Sequence, residues 1–466
     1  MHTVSSSRLR NGLRVVTVCR PHLHQAVVAV CVRVGSRHET RRTNGISHFL
    51  EHMLFRGTAR RPSAADFNHG IESLGATLTA ATHGDYTLFE LSVPPDALAE
   101  GCAELGEVFT SPVFSDRAVE KGIVREEILE DLDEDGTDVN AENVSRTEVF
   151  RGDALGFPIT GNARNVDRFT ERDLQAHLAA HYVARNMCVT VVGPLPHRTM
   201  ARAVERAFGT LPAGAATPTT PFRTQQSRAR IRVVPYASAQ SSVRIAFPTP
   251  GSRSAQALAI ELLLRVLDDG MSTRLHRRIC DERGLAYEVH AGVELFEDIG
   301  VFEVGATVAH ASLESLVGEV FAILGDLALH GPTRSEVEKA HRRCAFDLDA
   351  MEDHPSSLAD FYGPAELFDH RQTPAQRRLA MLGVTAHDIR RAARAVFDPS
   401  RLNLVLVGAN DPSLRRALGA LARRFRERLR AHPTRGRADT PTTAPTLPAI
   451  GPIRPRLRVP ASRATP

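Results

Sequence analysis

Two stretches of this chain occur twice. Gln25 to Arg37 (QAVVAVCVRVGSR) lines up with Gln240 to Arg253 (QSSVRIAFPTPGSR), and Arg185 to Gly193 (RNMCVTVVG) lines up with Arg401 to Gly408 (RLNLVLVG), at a common offset of 215 to 216 residues. Each copy opens on a β-branched strand ending in a GSR turn, runs through helical patterns, and closes with a strand, a glycine and an amphipathic helix. Two matches at one offset predict two copies of a single α+β domain in tandem.

The length agrees, since 466 residues at roughly 150 per domain make two or three domains. Residues 1–212 form the first expected domain and 230–430 the second. Between them, the Pro/Thr/Ala-rich 213–229 reads as a linker. With 42% hydrophobic residues the chain has enough apolar surface for both cores.

The formal charge of +4 hides an asymmetry. Residues 431–466 hold six arginines and one acid, a net +5, which leaves −1 for everything before them. That tail also carries eight of the 28 prolines and few large apolar groups, so it is expected to be disordered. No nucleic-acid motif is present, so no nucleic-acid partner is expected. No apolar stretch approaches the roughly 18 residues of a membrane span, and the first residues lack a secretory apolar core, so a cytoplasmic protein without membrane contact is expected. The six cysteines form no CxxC pair and read as reduced thiols.

His48, Glu51 and His52 lie within HFLEHMLFRGT, in a stretch that otherwise reads as a buried helix. Burying three polar groups without partners is costly. Asn44 and Gly45 suit the start of this helix, and His48 and His52 at i and i+4 project to one side, the spacing that grips a metal ion. Glu51 stands beside them in the HxxEH order, as a general base rather than a ligand. A third protein ligand must come from elsewhere. At the same offset the second copy reads LLLRVLDDG, without histidine, so the trio belongs to one copy only.

The stretch GISHFLEHMLFRGT, its place after a GSR turn and the paired halves resemble the pitrilysin, insulin-degrading enzyme and mitochondrial processing peptidase family of zinc endopeptidases. The short-chain bacterial type, in which one chain makes half a clamshell, is the nearest match. The resemblance runs from about Ser6 to Arg424. It implies a glutamate ligand some 75 residues past the motif, with a supporting glutamate seven residues earlier. In SDRAVEKGIVREEILEDL these are Glu127 and Glu120. The adjacent Glu126 is the rival ligand, but it lies about 100° around a helix from Glu127 and shares no face with Glu120.

The resemblance further implies an edge strand, LTAATHGDYTLF, to which a peptide substrate adds as an extra strand, with Thr79 in place of the family's asparagine and Ala80 and Thr82 beside it. It implies as well that Tyr287, in GMSTRLHRRICDERGLAYEV, contacts the substrate across a dimer. Seven residues before that tyrosine, Cys280 replaces the family's arginine, with Arg277, Arg278 and Arg283 nearby. An identical partner would repeat this deficit, so a heterodimer with a homologous subunit is favoured over a homodimer. One Zn²⁺ per chain, held by His48, His52 and Glu127, would activate water for Glu51 to deprotonate, with Glu120 and Tyr287 completing the catalytic set. The alternative is a non-catalytic scaffold subunit of such a complex.

Overall fold

The structure, a computed structural model, describes residues 3–409 and 411–431, and all but the first residue of the tail expected to be disordered lies outside them. Two mixed sheets dominate. The first contains β1 (Thr3–Arg8), β2 (Arg14–Cys19), β3 (Ala26–Val32), β4 (Thr77–Thr82), β5 (Thr87–Val93) and β6 (Met187–Gly193), in the order β1-β2-β6-β3-β5-β4. The second contains β7 (Arg230–Pro235), β8 (Gln240–Pro250), β9 (Val289–Leu295), β10 (Ile299–Ala309) and β11 (Asn403–Gly408), in the order β7-β11-β8-β10-β9. Apart from β1, the second order repeats the first strand for strand. This is the expected α+β architecture of two similar units.

The repeated sequences are the neighbouring central strands of each sheet. β3 pairs antiparallel with β6, and β8 with β11. Every residue of β3, β6 and β11 is buried. A strand covered on both faces needs an unbroken apolar run rather than an alternating one, and such runs stay recognisable.

The GSR turns recur for a steric reason. Ser36 and Arg37 donate backbone N–H bonds to His83 and Gly84 carbonyls, and Ser252 and Arg253 do the same to Phe296 and Glu297. A Cβ on Gly35 would lie 2.0 Å from the His83 oxygen, and one on Gly251 2.5 Å from Asp298 carbonyl carbon. Each glycine therefore lets the turn touch the hairpin of its own sheet.

The two halves also exchange helices. Helix Ala141–Val149, from the first half, sets Ala141 and Val149 in two clusters with Val234, Val405, Val407, Ala246 and Phe296 of the second. Helix Pro355–Leu367, from the second half, packs Leu358, Ala359 and Tyr362 onto Val16, Val18, Val27 and Cys31 of the first. At about 1.5–3 kcal/mol for each large buried side chain, these contacts join the halves firmly. Residues 213–229 contain neither helix nor strand, and they lie along both halves through bonds such as Thr217 N–H to Asn186 and Phe222 N–H to Asp298.

Candidate metal centre

Helix Ile46–Met53 starts at Gly45, which has φ +95° and offers no capping side chain. Buried Glu39 supplies the cap from outside: its Oε2 accepts Gly45 N–H at 2.8 Å and its Oε1 accepts Ser47 N–H at 2.9 Å. A carboxylate there also complements the positive end of the helix dipole. Isoleucine, phenylalanine, leucine and methionine at 46, 49, 50 and 53 bury one face, which leaves His48 and His52 together on another.

Their ring centroids are 4.5 Å apart and their Nε2 atoms 3.2 Å apart. Helix Arg117–Leu129 crosses in front of them. Glu127 Oε1 lies 3.5 Å from His48 Nε2, and its Oε2 lies 3.7 Å from His52 Nε2. A tetrahedral zinc with bonds of about 2.0–2.2 Å sets its ligand atoms roughly 3.4 Å apart, so these three groups fit that ion. They are the one set of three or more His, Cys, Asp or Glu among the described residues with ligand atoms within 4.8 Å of one another. Glu126 is exposed and makes none of these contacts.

Glu120 lies two helical turns before Glu127 on the same face. Its Oε1 accepts His52 Nδ1–H at 2.7 Å, and its Oε2 binds the Arg56 guanidinium. Burial alone would raise its pKa, but the bonds from His52 and Arg56 outweigh it and hold the carboxyl below its usual value. Burial pulls His52 down, yet Glu120 lifts it above the usual value overall. Burial, with His52 adding, pushes His48 down to about 3, so it is the neutral imidazole a metal needs. His48 Nδ1 is buried and has no hydrogen-bond partner among the described residues, so only His52 has its ring fixed from behind.

Glu51 adjoins the triad. Burial raises its pKa above the usual value, and the Thr82 hydroxyl, donating to Oε2 at 2.6 Å, partly opposes that. Thr82 is buried, and its hydroxyl is spent on Glu51 rather than offered to a peptide. Thr79 and Ala80 lie on the outermost strand of the sheet, paired on one side only, with Glu90 and Phe89. Together with Glu51, His52, Phe55 and Asn68 they line a groove of about 540 Å³.

Tyr287 lies in the second half, 98% exposed, and makes no contact with the triad. The arginines near half-buried Cys280 are tied to local acids, Arg278 and Arg283 to Glu319 and Arg277 to Glu282. Glu39 and Arg56 were not recognisable as parts of this centre from spacing, and Thr82, expected at the substrate strand, binds Glu51 through a tertiary contact.

The second half holds a charged counterpart of the site. Helix Ala257–Leu267 is followed by Gly270 at φ +105°, as the motif helix is followed by Gly57 at φ +128°. Counting back from these glycines, Glu261, Arg265 and Asp269 take the places of His48, His52 and Arg56, a register two to three residues short of the strand offset. Glu261 pairs with buried Arg377, and Arg265 pairs with Asp347 at 2.7 Å and Asp269 at 3.1 Å. Internal ion pairs hold these positions in the second half, whereas in the first half two of them are imidazoles that face Glu127.

Two family descriptions match the chain. "Insulinase (Peptidase family M16)" covers residues 14–162, and "Peptidase M16 inactive domain" covers residues 168–344. An uncharacterised zinc protease of Streptomyces coelicolor is 29% identical over 415 residues, spanning 87% of this chain and 90% of that one. A crystal structure of a protease from Helicobacter pylori superposes with a TM-score of 0.81 at 21% identity, over 88% of this chain and all of the other. The periplasmic protease PqqL of Escherichia coli superposes at 0.72 and 17% identity, over 91% of this chain and 50% of its own. No described helix is long and apolar enough to cross a membrane. With matching domain descriptions in both halves, a zinc-protease relative along nearly the whole length and the shared two-sheet fold, this chain belongs to the M16 peptidase family, in its short bacterial form.

Proposed function

We propose that this chain is the metal-bearing subunit of a zinc metalloendopeptidase that hydrolyses peptides or unfolded segments. The observation that carries the reading is the convergence of His48, His52 and Glu127 at 3.2–3.7 Å, with the Glu51 carboxylate beside them. Zinc bound there supplies Lewis acidity, polarising the scissile carbonyl and lowering the pKa of water toward ~7. Glu51 takes the proton of the attacking water through the oxygen that Thr82 leaves free, and returns it to the leaving amine. Glu120 orients His52. The exposed edge at Thr79 and Ala80 takes the peptide by backbone pairing, which is why an unfolded segment is the substrate expected. No serine or cysteine nucleophile is involved.

The subunit works beside a homologous chain, in half of a clamshell, with a heterodimer favoured over a homodimer. Its six cysteines are all free thiols, which suits the cytoplasm.

Zinc analysis and cleavage of an unstructured peptide test the reading. One zinc per chain, chelator-sensitive cleavage, and a loss of about 10²- to 10⁴-fold in Glu51→Gln with zinc retained are expected. A chain that binds no zinc and cleaves nothing, alone or with a homologous subunit, is instead a scaffold.

A further inference from the structure

We propose that Arg56 is a positioning residue of the metal centre: its guanidinium fixes Glu120, and through Glu120 fixes the His52 imidazole with Nε2 free for the ion. This rests on the reading of His48, His52 and Glu127 as a zinc site.

Arg56 lies beyond the end of the motif helix, where its backbone N–H still bonds to the Met53 carbonyl at 3.1 Å. The next residue, Gly57, takes φ +128°, and a Cβ there would lie 2.6 Å from the Arg61 carbonyl oxygen. That glycine reverses the chain, and the Arg56 side chain folds back along the last helical turn beside His52. Arg56 Nε and Nη2 both reach Glu120 Oε2, while Glu120 Oε1 takes the His52 proton. One carboxylate is thus clamped by a different donor on each oxygen.

The clamp matters because of imidazole chemistry. A neutral histidine presents a lone pair at Nε2 only while its proton stays on Nδ1, and the acceptor at Nδ1 decides that. Held by His52 alone, a glutamate side chain can rotate about its own bonds and carry the ring with it. Held at both oxygens, it cannot. The Glu120 side chain is 5% exposed, so its donors are the guanidinium and the imidazole rather than bulk water. Among the described residues His48 has no hydrogen-bond partner at Nδ1, so His52 is the imidazole whose orientation they set.

The second half shows that the turn geometry recurs. There Asp269, the residue before Gly270, pairs with Arg265 four positions earlier, in the place of His52. Both turns bring the residue before the glycine back to the helix. In the first half that residue is a cation beside a histidine, and Glu120 bridges the two.

The test is the zinc dissociation constant of the full chain, by competition with a chromogenic chelator, for wild type, Arg56→Leu, Arg56→Lys, Arg56→Gln, Glu120→Gln and the Arg56→Leu/Glu120→Gln double variant. Arg56→Leu should weaken zinc by about 10- to 100-fold, and Arg56→Lys should recover most of that loss. In the Glu120→Gln background, Arg56→Leu should change affinity by less than about 2-fold, because the route through which it acts is already broken. If Arg56→Leu does not fold, the contrast between Arg56→Lys and Arg56→Gln carries the same comparison. Unchanged zinc affinity in the Arg56 variants, or an equal loss in both backgrounds, would overturn the proposal. A wild-type chain without zinc would instead bring down the metal reading beneath it.

Discussion

Thr82, on the open edge strand, donates its hydroxyl to Glu51 Oε2 at 2.6 Å. The strand that would receive the peptide therefore also aims the group that would act on it. This one bond ties the sheet edge to the carboxylate.

Thr82→Val keeps the shape of the side chain and removes the donor. A hydrogen bond to a charged group is worth about 1.5–3 kcal/mol, so turnover should fall by roughly 10- to 100-fold with zinc content unchanged. The bond favours the ionised carboxylate, so its loss raises the Glu51 pKa further above the usual value. Glu51 must be ionised to accept a proton, so the acidic limb of the pH–rate profile should move to higher pH. A profile that stays in place, with full activity, would free Glu51 from this partner.

Glu126 and Glu127 are chemically alike and differ by about 100° around one helix. Glu127 is within 3.7 Å of both imidazoles, while Glu126 is exposed. Glu127→Gln should cost more zinc affinity than the about 10- to 100-fold typical of outer partners, and Glu126→Gln should cost almost none. Titration of both variants with zinc decides it, and the reverse order would shift the helix register by one residue.

What was legible in the sequence follows from how local each signal is. Strands β3, β6 and β11 showed because burial on both faces demands apolar runs at any sequence distance, and His48, Glu51 and His52 showed because one helix holds all three. Glu39 was invisible, since it caps a helix whose N-cap residue, Gly45, six residues on, has no side chain to do so. The exchange of Ala141–Val149 and Pro355–Leu367 depends on how two domains meet, which no periodicity records. The register of Glu261 against His48 slipped because His48 lies 13 residues after Gly35 and Glu261 only 10 after Gly251. Strand alignment therefore does not carry across to the following helices.

One of the exchanged helices suggests a pH dependence. Glu303, on β10, accepts from the Ser145 hydroxyl of helix Ala141–Val149 and lies 3.3 Å from Arg244 Nε. Burial pushes its pKa from 4.5 up to about 7. The folded chain thus holds this proton more tightly than the unfolded one. The stability that proton contributes is present in full below about 4.5 and is lost as pH rises through about 7. Burial raises Asp138 to about 6 and acts in the same sense, whereas His177, lowered to about 3, favours stability at higher pH. The informative quantity is therefore the difference between wild type and Glu303→Gln. Across about pH 5 to 8, melting temperatures should show the variant gaining on wild type as pH rises. Parallel curves would mean that Glu303 is ionised throughout.

The last prediction concerns Tyr287 and the number of chains needed for one working site. A tyrosine 98% exposed, with no contact to the triad, cannot serve its own zinc without a large rearrangement. The family resemblance gives it a role facing the metal of an opposing half. If so, the phenol and the zinc belong to different chains, and in a homodimer Tyr287→Phe should lose turnover while keeping its zinc. Mixing Tyr287→Phe with Glu51→Gln then gives an informative result. In a homodimer the mixed pair contains one site with an intact base and an intact tyrosine, and up to roughly a quarter of wild-type activity per total chain should return, since half the dimers are mixed and each has one good site of two. Cys280 argues for the other arrangement: an identical partner leaves a developing oxyanion one charge-assisted donor short, at a cost of about 2.7–4 kcal/mol. The favoured outcome is accordingly a chain weakly active alone, unaffected by Tyr287→Phe once a homologous subunit supplies its own arginine and tyrosine. Strong activity of the isolated chain, lost in Tyr287→Phe and recovered on mixing, would establish the homodimer instead.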